Sequence, residues 1–217
     1  MYDLNSLIQT FSIWFLPLLF AITLHEAAHG YVSLLYGDKT ALFLGRVTLN
    51  PFKHIDPVGT IVVPLSLLIL QTPWIFGWAR PVPVNQRNLR GPFYSIAVVA
   101  IAGPLSNFFM AILWALVFKL ATYFYNETPT PAFLWLLQTS QIGVFFNIVL
   151  GIFNLLPIPP LDGGKIVEAF LPYRFASTFY DLEPYGFLIL LTLIMTGMLT
   201  PIIGPPVLYL SKALLSI

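Results

Sequence analysis

The chain contains no cysteine in 217 residues. Disulfides and thiolate metal ligands are therefore excluded, and any metal must be held by histidine, carboxylate or backbone oxygen. Charge is scarce as well. Charged residues make up 9% of the chain, against about 25% in a soluble globular domain. The net charge is +1 and no dense basic run occurs, so no nucleic-acid partner is expected. Histidine is nearly missing, with three in the whole chain. No G-x-S-x-G or G-x-G-D sequence is present, which removes the usual signs of serine and two-aspartate hydrolases. The start, "MYDLNSL", has no basic segment ahead of its apolar run, so a cleavable signal peptide is not expected.

What the chain has instead is oil. Hydrophobic residues reach 58% and the mean hydropathy is +0.83. About 20 apolar residues cross a bilayer as helix, and the runs 7–36, 93–125 and 132–157 meet that length. The apolar piece 184–199 and the tail 205–217 add candidates. The expected fold is an all-α polytopic membrane protein, a bundle of about 4–6 transmembrane helices. One domain is expected over 1–217, with a catalytic core at about 7–168 and C-terminal helices at about 180–217.

Between the first two main helices the pattern changes. "ALFLGRVTLNP", 41–51, alternates apolar and polar residues, and "ARPVPVNQRNLRGP", 79–92, is a polar, proline-rich second stretch. Together they predict a small β-hairpin, whose free edge can hold an extended peptide by strand addition. The apolar stretch 59–79 carries Pro64, Pro73 and Gly77 and reads as a full span or, preferably, a re-entrant element. Lys39, Arg46 and Lys53 precede it, and Arg80, Arg87 and Arg90 follow it. Positive loops stay cytoplasmic, so both sets belong on the cytoplasmic side if 59–79 turns back.

Inside the first apolar run stands "LHEAAHG", 24–30. His25 and His29 are four residues apart and share a helix face. That spacing lets two imidazoles bind one tetrahedral ion, with Glu26 beside them as general base. Polar side chains at membrane depth cost roughly 2.5–3.5 kcal/mol each on insertion scales, so satisfied bundle contacts are the weaker explanation. A catalytic zinc takes three protein ligands. His54 falls in a loop, and of nine acidic residues most sit in loops or on the amphipathic piece 165–180. Asp162 differs, since it ends a long apolar run in "NLLPIPPLDGG". Alone it also fits a solvated turn at a helix end. Asn147 and Asn154 are seven residues apart and share a face, suited to freed backbone groups of a substrate or to helix–helix contact.

"HEAAH" followed by "NLLPIPPLDGG" resembles the site-2 protease family of intramembrane zinc metalloproteases. "GRVTLNPFKHIDPVGT", "GWARPVPVN" and "AGPLSN" resemble stretches of its compact bacterial and archaeal members, which lack PDZ and CBS domains. The resemblance covers about residues 20–168. It implies that His25, His29 and Asp162 bind one Zn2+ and that Glu26 is the base. It implies substrate contact for Asn154 and places Asn107 at the polar position of the middle helix. It further implies a multi-pass protein of a prokaryotic cell membrane, acting on single-span or signal-peptide-like substrates in the lipid bilayer; the positive loops and the convergence of the ligands place the active site nearer the cytoplasmic side. Two other readings are a metal transporter, for which repeated halves are expected and not seen, and an inactive partner-binding relative, for which loss of Glu26 or a ligand is expected.

Overall fold

The computed structural model describes residues 4–70, 77–92 and 94–216. The first apolar run forms helix α1, Leu4–Leu35. It stops on a glycine. Gly37 adopts φ +93°, and the N–H groups of Gly37 and Asp38 donate to Leu34 O and Ser33 O, both at 3.0 Å. These paired bonds close a helix through a left-handed residue. A single turn, α2 (Thr40–Phe43), follows, then a 3-10 turn at Pro51–Lys53 and a wide turn at Pro57–Val62. The wide turn starts where the Asp56 carboxylate accepts from the Val58 and Gly59 N–H groups. It runs into α3, Val63–Ile69.

An extended strap, 77–85, leads on towards α4 (Ser95–Glu127) and α5 (Pro131–Asn154). Pro131 opens α5, with Thr130 Oγ1 accepting from Phe133 N–H, a start signal written in the sequence. Then come α6 (Asp162–Phe170), α7 (Tyr173–Tyr180), α8 (Glu183–Met195) and α9 (Thr200–Leu215). Three described helices are long and apolar enough to span a membrane, within α1, α4 and α5, and a fourth span results if α8 and α9, bent by 77°, are taken as one.

Packing agrees with lipid surroundings. Met110, Ala111 and Trp114 of α4 lock against Val144 and Ile148 of α5 and Val207 of α9. The opposite face of α4 leaves Leu105, Phe109, Leu116 and Leu120 more than half exposed. Exposed apolar stripes of this kind mark membrane or protein-contact surfaces.

Specific contacts fix the helix directions. His29 meets Val99 and His25 meets Asn107, so α4 runs antiparallel to α1. Trp135 Nε1–H donates to Ser12 Oγ at 2.9 Å, Trp14 lies edge-on to Phe146, and His29 meets Asp162 beyond the end of α5. Thus α5 runs parallel to α1. The chain leaves α1 and enters α4 at one end of the bundle, where Arg90 N–H donates to Tyr36 O at 2.7 Å. The two ends of the stretch 59–79 meet: Trp78 N–H donates to Gly59 O at 3.1 Å, and Thr60 Oγ1–H donates to Trp78 O at 2.8 Å. Residues 71–76 of it lie outside the described residues.

The expected β-hairpin is not there; the described residues contain no strand. The alternation at 41–51 has a different cause. Gly45 N–H and Arg46 N–H bond back to Leu42 O and Ala41 O, so the groups a ladder needs are consumed in a turn. Leu42, Phe43 and Leu44 are all exposed rather than alternately buried. The strap is extended but unladdered, because its N–H groups reach separate elements. The free strand edge for a substrate disappears with the hairpin. Asp38, fully buried, ties the strap to the end of α1 by accepting from Thr40, Asn85 N–H and Asn88 Nδ2–H. Burial pushes its carboxyl up, but these bonds outweigh burial and hold it below the usual carboxylate value.

Candidate metal centre

His25 and His29 sit on the inner face of α1, 6% and 7% exposed. The chain beyond α5 brings Asp162 to them. Pro157, Pro159 and Pro160 keep 155–161 out of helix, and Asp162 opens α6, one element later than a helix-end position. Gly163 makes that turn possible, since a Cβ there would lie 2.3 Å from Leu155 O and Leu156 O. The result is a triangle. His25 Nε2, His29 Nε2 and Asp162 Oδ2 are each 3.1 Å from the other two.

Each corner is oriented from behind. His25 Nδ1 lies 2.7 Å from Asn107 Oδ1 and His29 Nδ1 lies 2.8 Å from Val99 O. Both acceptors assign the proton to Nδ1, so both Nε2 lone pairs face Asp162. Asp162 Oδ1 is 3.3 Å from Lys165 Nζ, which leaves Oδ2 to the histidines. Three buried acceptors facing one another suit a cation between them. The spacing fits zinc: a tetrahedron with arms of about 2.0–2.1 Å has edges near 3.4 Å.

Glu26, half-buried on the neighbouring face, is held by the strap: Val82 N–H donates to its Oε2 at 2.7 Å. Asn107 and Asn147 are fully buried. Asn107 donates to Ala21 O and Asn147 Oδ1, both at 3.1 Å, and Asn147 donates to Gly143 O at 2.9 Å. The two asparagines form a relay that ends on His25. Asn154 is half-buried and donates to Leu150 O; it does not join the relay. His54 is fully buried away from the triangle, with Nε2 2.9 Å from Thr48 O.

Gly103 escapes a reading of the sequence. Beside Pro104 it suggests a kink, but its backbone is the floor of the site: a Cβ would lie 2.3 Å from His29 Nε2 and 2.7 Å from His25 Nε2. Val99 O and Val82 N–H escape too, because a backbone group carries no residue signature.

The profile of peptidase family M50 matches residues 124–195. The chain is 38% identical over 190 residues to YwhC of Bacillus subtilis strain 168, a candidate zinc metalloprotease by name, covering 88% of this chain and 83% of that protein. Rip2 of Mycolicibacterium smegmatis, also a candidate zinc metalloprotease by name, is 28% identical over 82% of this chain and 64% of its own length. Zinc metalloprotease MJ0392 of Methanocaldococcus jannaschii is 27% identical over 76% of this chain and 36% of its own. No solved structure matches. With a likeness to YwhC that spans most of both proteins, the chain belongs to peptidase family M50, the site-2 protease family.

Proposed function

We propose that the protein is an intramembrane zinc metalloprotease that hydrolyses peptide bonds in or near membrane-spanning segments of other proteins. The observation that carries this reading is the buried His25–His29–Asp162 triangle, 3.1 Å on each side, at one end of three apolar helices. His25, His29 and Asp162 hold one Zn2+, and the zinc metalloprotease names of the relatives support that ion. Zinc, when bound, lowers the pKa of a coordinated water to about 7 and polarises the scissile carbonyl. Glu26 accepts a proton from the attacking water and returns it to the leaving amine. Asn107 fixes the His25 ring. Asn154 has an amide oxygen without a partner among the described residues, which suits a contact with unwound substrate backbone. Single-span and signal-peptide-like segments are the substrates that reach such a site from the bilayer. A panel of single-span reporters with Asn or Pro in the span tests this. Purified protein should cut at least one reporter, lose the activity to a zinc chelator and regain it with added zinc. Cleavage indifferent to chelation overturns the reading.

The site lies nearer the cytoplasmic side of the membrane in this account. Lys39, Arg46, Lys53, Arg80, Arg87 and Arg90 flank a segment that leaves and returns at one end of the bundle, and the positive-inside rule assigns that end to the cytoplasm. Residues 59–79 are then re-entrant. Relatives from bacteria and an archaeon support a prokaryotic cell membrane. Single cysteines at Lys53 and Arg87, both exposed, should resist an impermeant thiol reagent in intact cells and react in inverted vesicles. Reaction of one site from each face contradicts this topology.

A further inference from the structure

We propose that the backbone N–H of Val82 is a positioning group for the base Glu26, presented by the Pro81–Val82–Pro83 strap so that one carboxylate oxygen is held and the other is left to take the proton. The inference rests on the protease reading above. Val82 N–H donates to Glu26 Oε2 at 2.7 Å, and Oε1 has no hydrogen-bond partner among the described residues. A glutamate on a helix has three rotatable side-chain bonds. A charge-assisted bond from a fixed N–H removes that freedom and aims the remaining oxygen.

The donor is fixed because the strap is pinned along its length. Trp78 N–H donates to Gly59 O at 3.1 Å and Arg80 N–H to His54 O at 2.9 Å. Asn85 N–H donates to the buried Asp38 at 2.7 Å. Residues 78, 80 and 82 thus donate inward in turn, the alternation of an extended chain. The Val82 side chain, 8% exposed, seats the strap on α1, where a Cβ on Gly30 would lie 3.2 Å from Val82 Cγ1. Pro81 and Pro83 have no N–H, so Val82 carries the one donor of the three residues. The same pins join the re-entrant stretch to the base, through Gly59, Trp78 and His54.

The test removes the N–H and keeps the side chain. Val82 is replaced in the full chain by its α-hydroxy acid, which turns the 81–82 amide into an ester. Val82→Ala, which keeps the N–H and loses packing, is the companion. The assay uses a reporter cut by the wild type and not by Glu26→Gln. The ester variant should lose kcat by about 10–100-fold, with KM within about twofold and zinc content unchanged. Val82→Ala keeps the donor and loses only the seat of the strap, so its kcat should fall by clearly less than that of the ester variant. An ester variant of wild-type kcat overturns the inference. So does loss of zinc from the ester variant, or a Val82→Ala loss equal to that of the ester, since either shows a structural role. Failure of the protease reading shows separately and beforehand, as a reporter panel in which every reporter cut by the wild type is cut equally by Glu26→Gln.

Discussion

Glu26→Gln is expected to lower reporter cleavage by about 10²–10⁴-fold, the usual contribution of a general base, while zinc stays at one per chain. The substitution is nearly isosteric. Its amide oxygen can keep the Val82 N–H bond that Glu26 Oε2 accepts now. Its NH2 then occupies the place of Oε1 and has no lone pair for a proton. The ligand triangle does not include Glu26, so metal affinity should survive. Initial rates and metal content, measured on the same preparation, check both halves. A rate within tenfold of the wild type contradicts the assignment.

Gly103→Ala is expected to empty the centre. Its Cβ would lie 2.3 Å from His29 Nε2 and 2.7 Å from His25 Cε1 and Nε2, closer than real side chains pack. The rings cannot retreat easily, since Asn107 and Val99 hold them from behind at 2.7 and 2.8 Å. Either the histidines leave their ligand positions or α4 moves off α1. Overpacking of this kind costs about 1–3 kcal/mol, too little to unfold the bundle and enough to break the triangle. Zinc content and activity should both fall at least tenfold, with the unfolding temperature in detergent changed by a few degrees. Gly204→Ala, where nothing lies within 4 Å of the added atom, should be silent. A Gly103→Ala protein with full zinc contradicts the packing described here.

These two residues show what a sequence makes legible. The His25–His29 pair is legible because a spacing of four residues translates directly into a shared helix face, and Glu26 because it stands next to that pair. Asp162 declares itself as the acidic residue placed at the end of an apolar run. The helices follow from run length and from stop signals such as Gly37. Gly103 is invisible, because its importance lies in what stands opposite it, 74–78 residues away along the chain. The Asn147–Asn107–His25 relay is invisible for the same reason: three polar residues on three helices meet only after α1, α4 and α5 take their directions. The misread hairpin has another origin. Period-two alternation reports one-sided burial, and at 41–51 turn bonds around Gly45 replace the ladder that such a pattern normally implies.

The central claim is that His25, His29 and Asp162 together hold one zinc inside the membrane. Metal content of the purified protein and of Asp162→Ala, each confirmed as folded by circular dichroism, tests it most directly. The account predicts one zinc per wild-type chain and almost none in Asp162→Ala, because removal of Oδ2 breaks a triangle whose corners are 3.1 Å apart. A folded wild-type protein without zinc, or an Asp162→Ala protein that keeps nearly one zinc per chain, would contradict it.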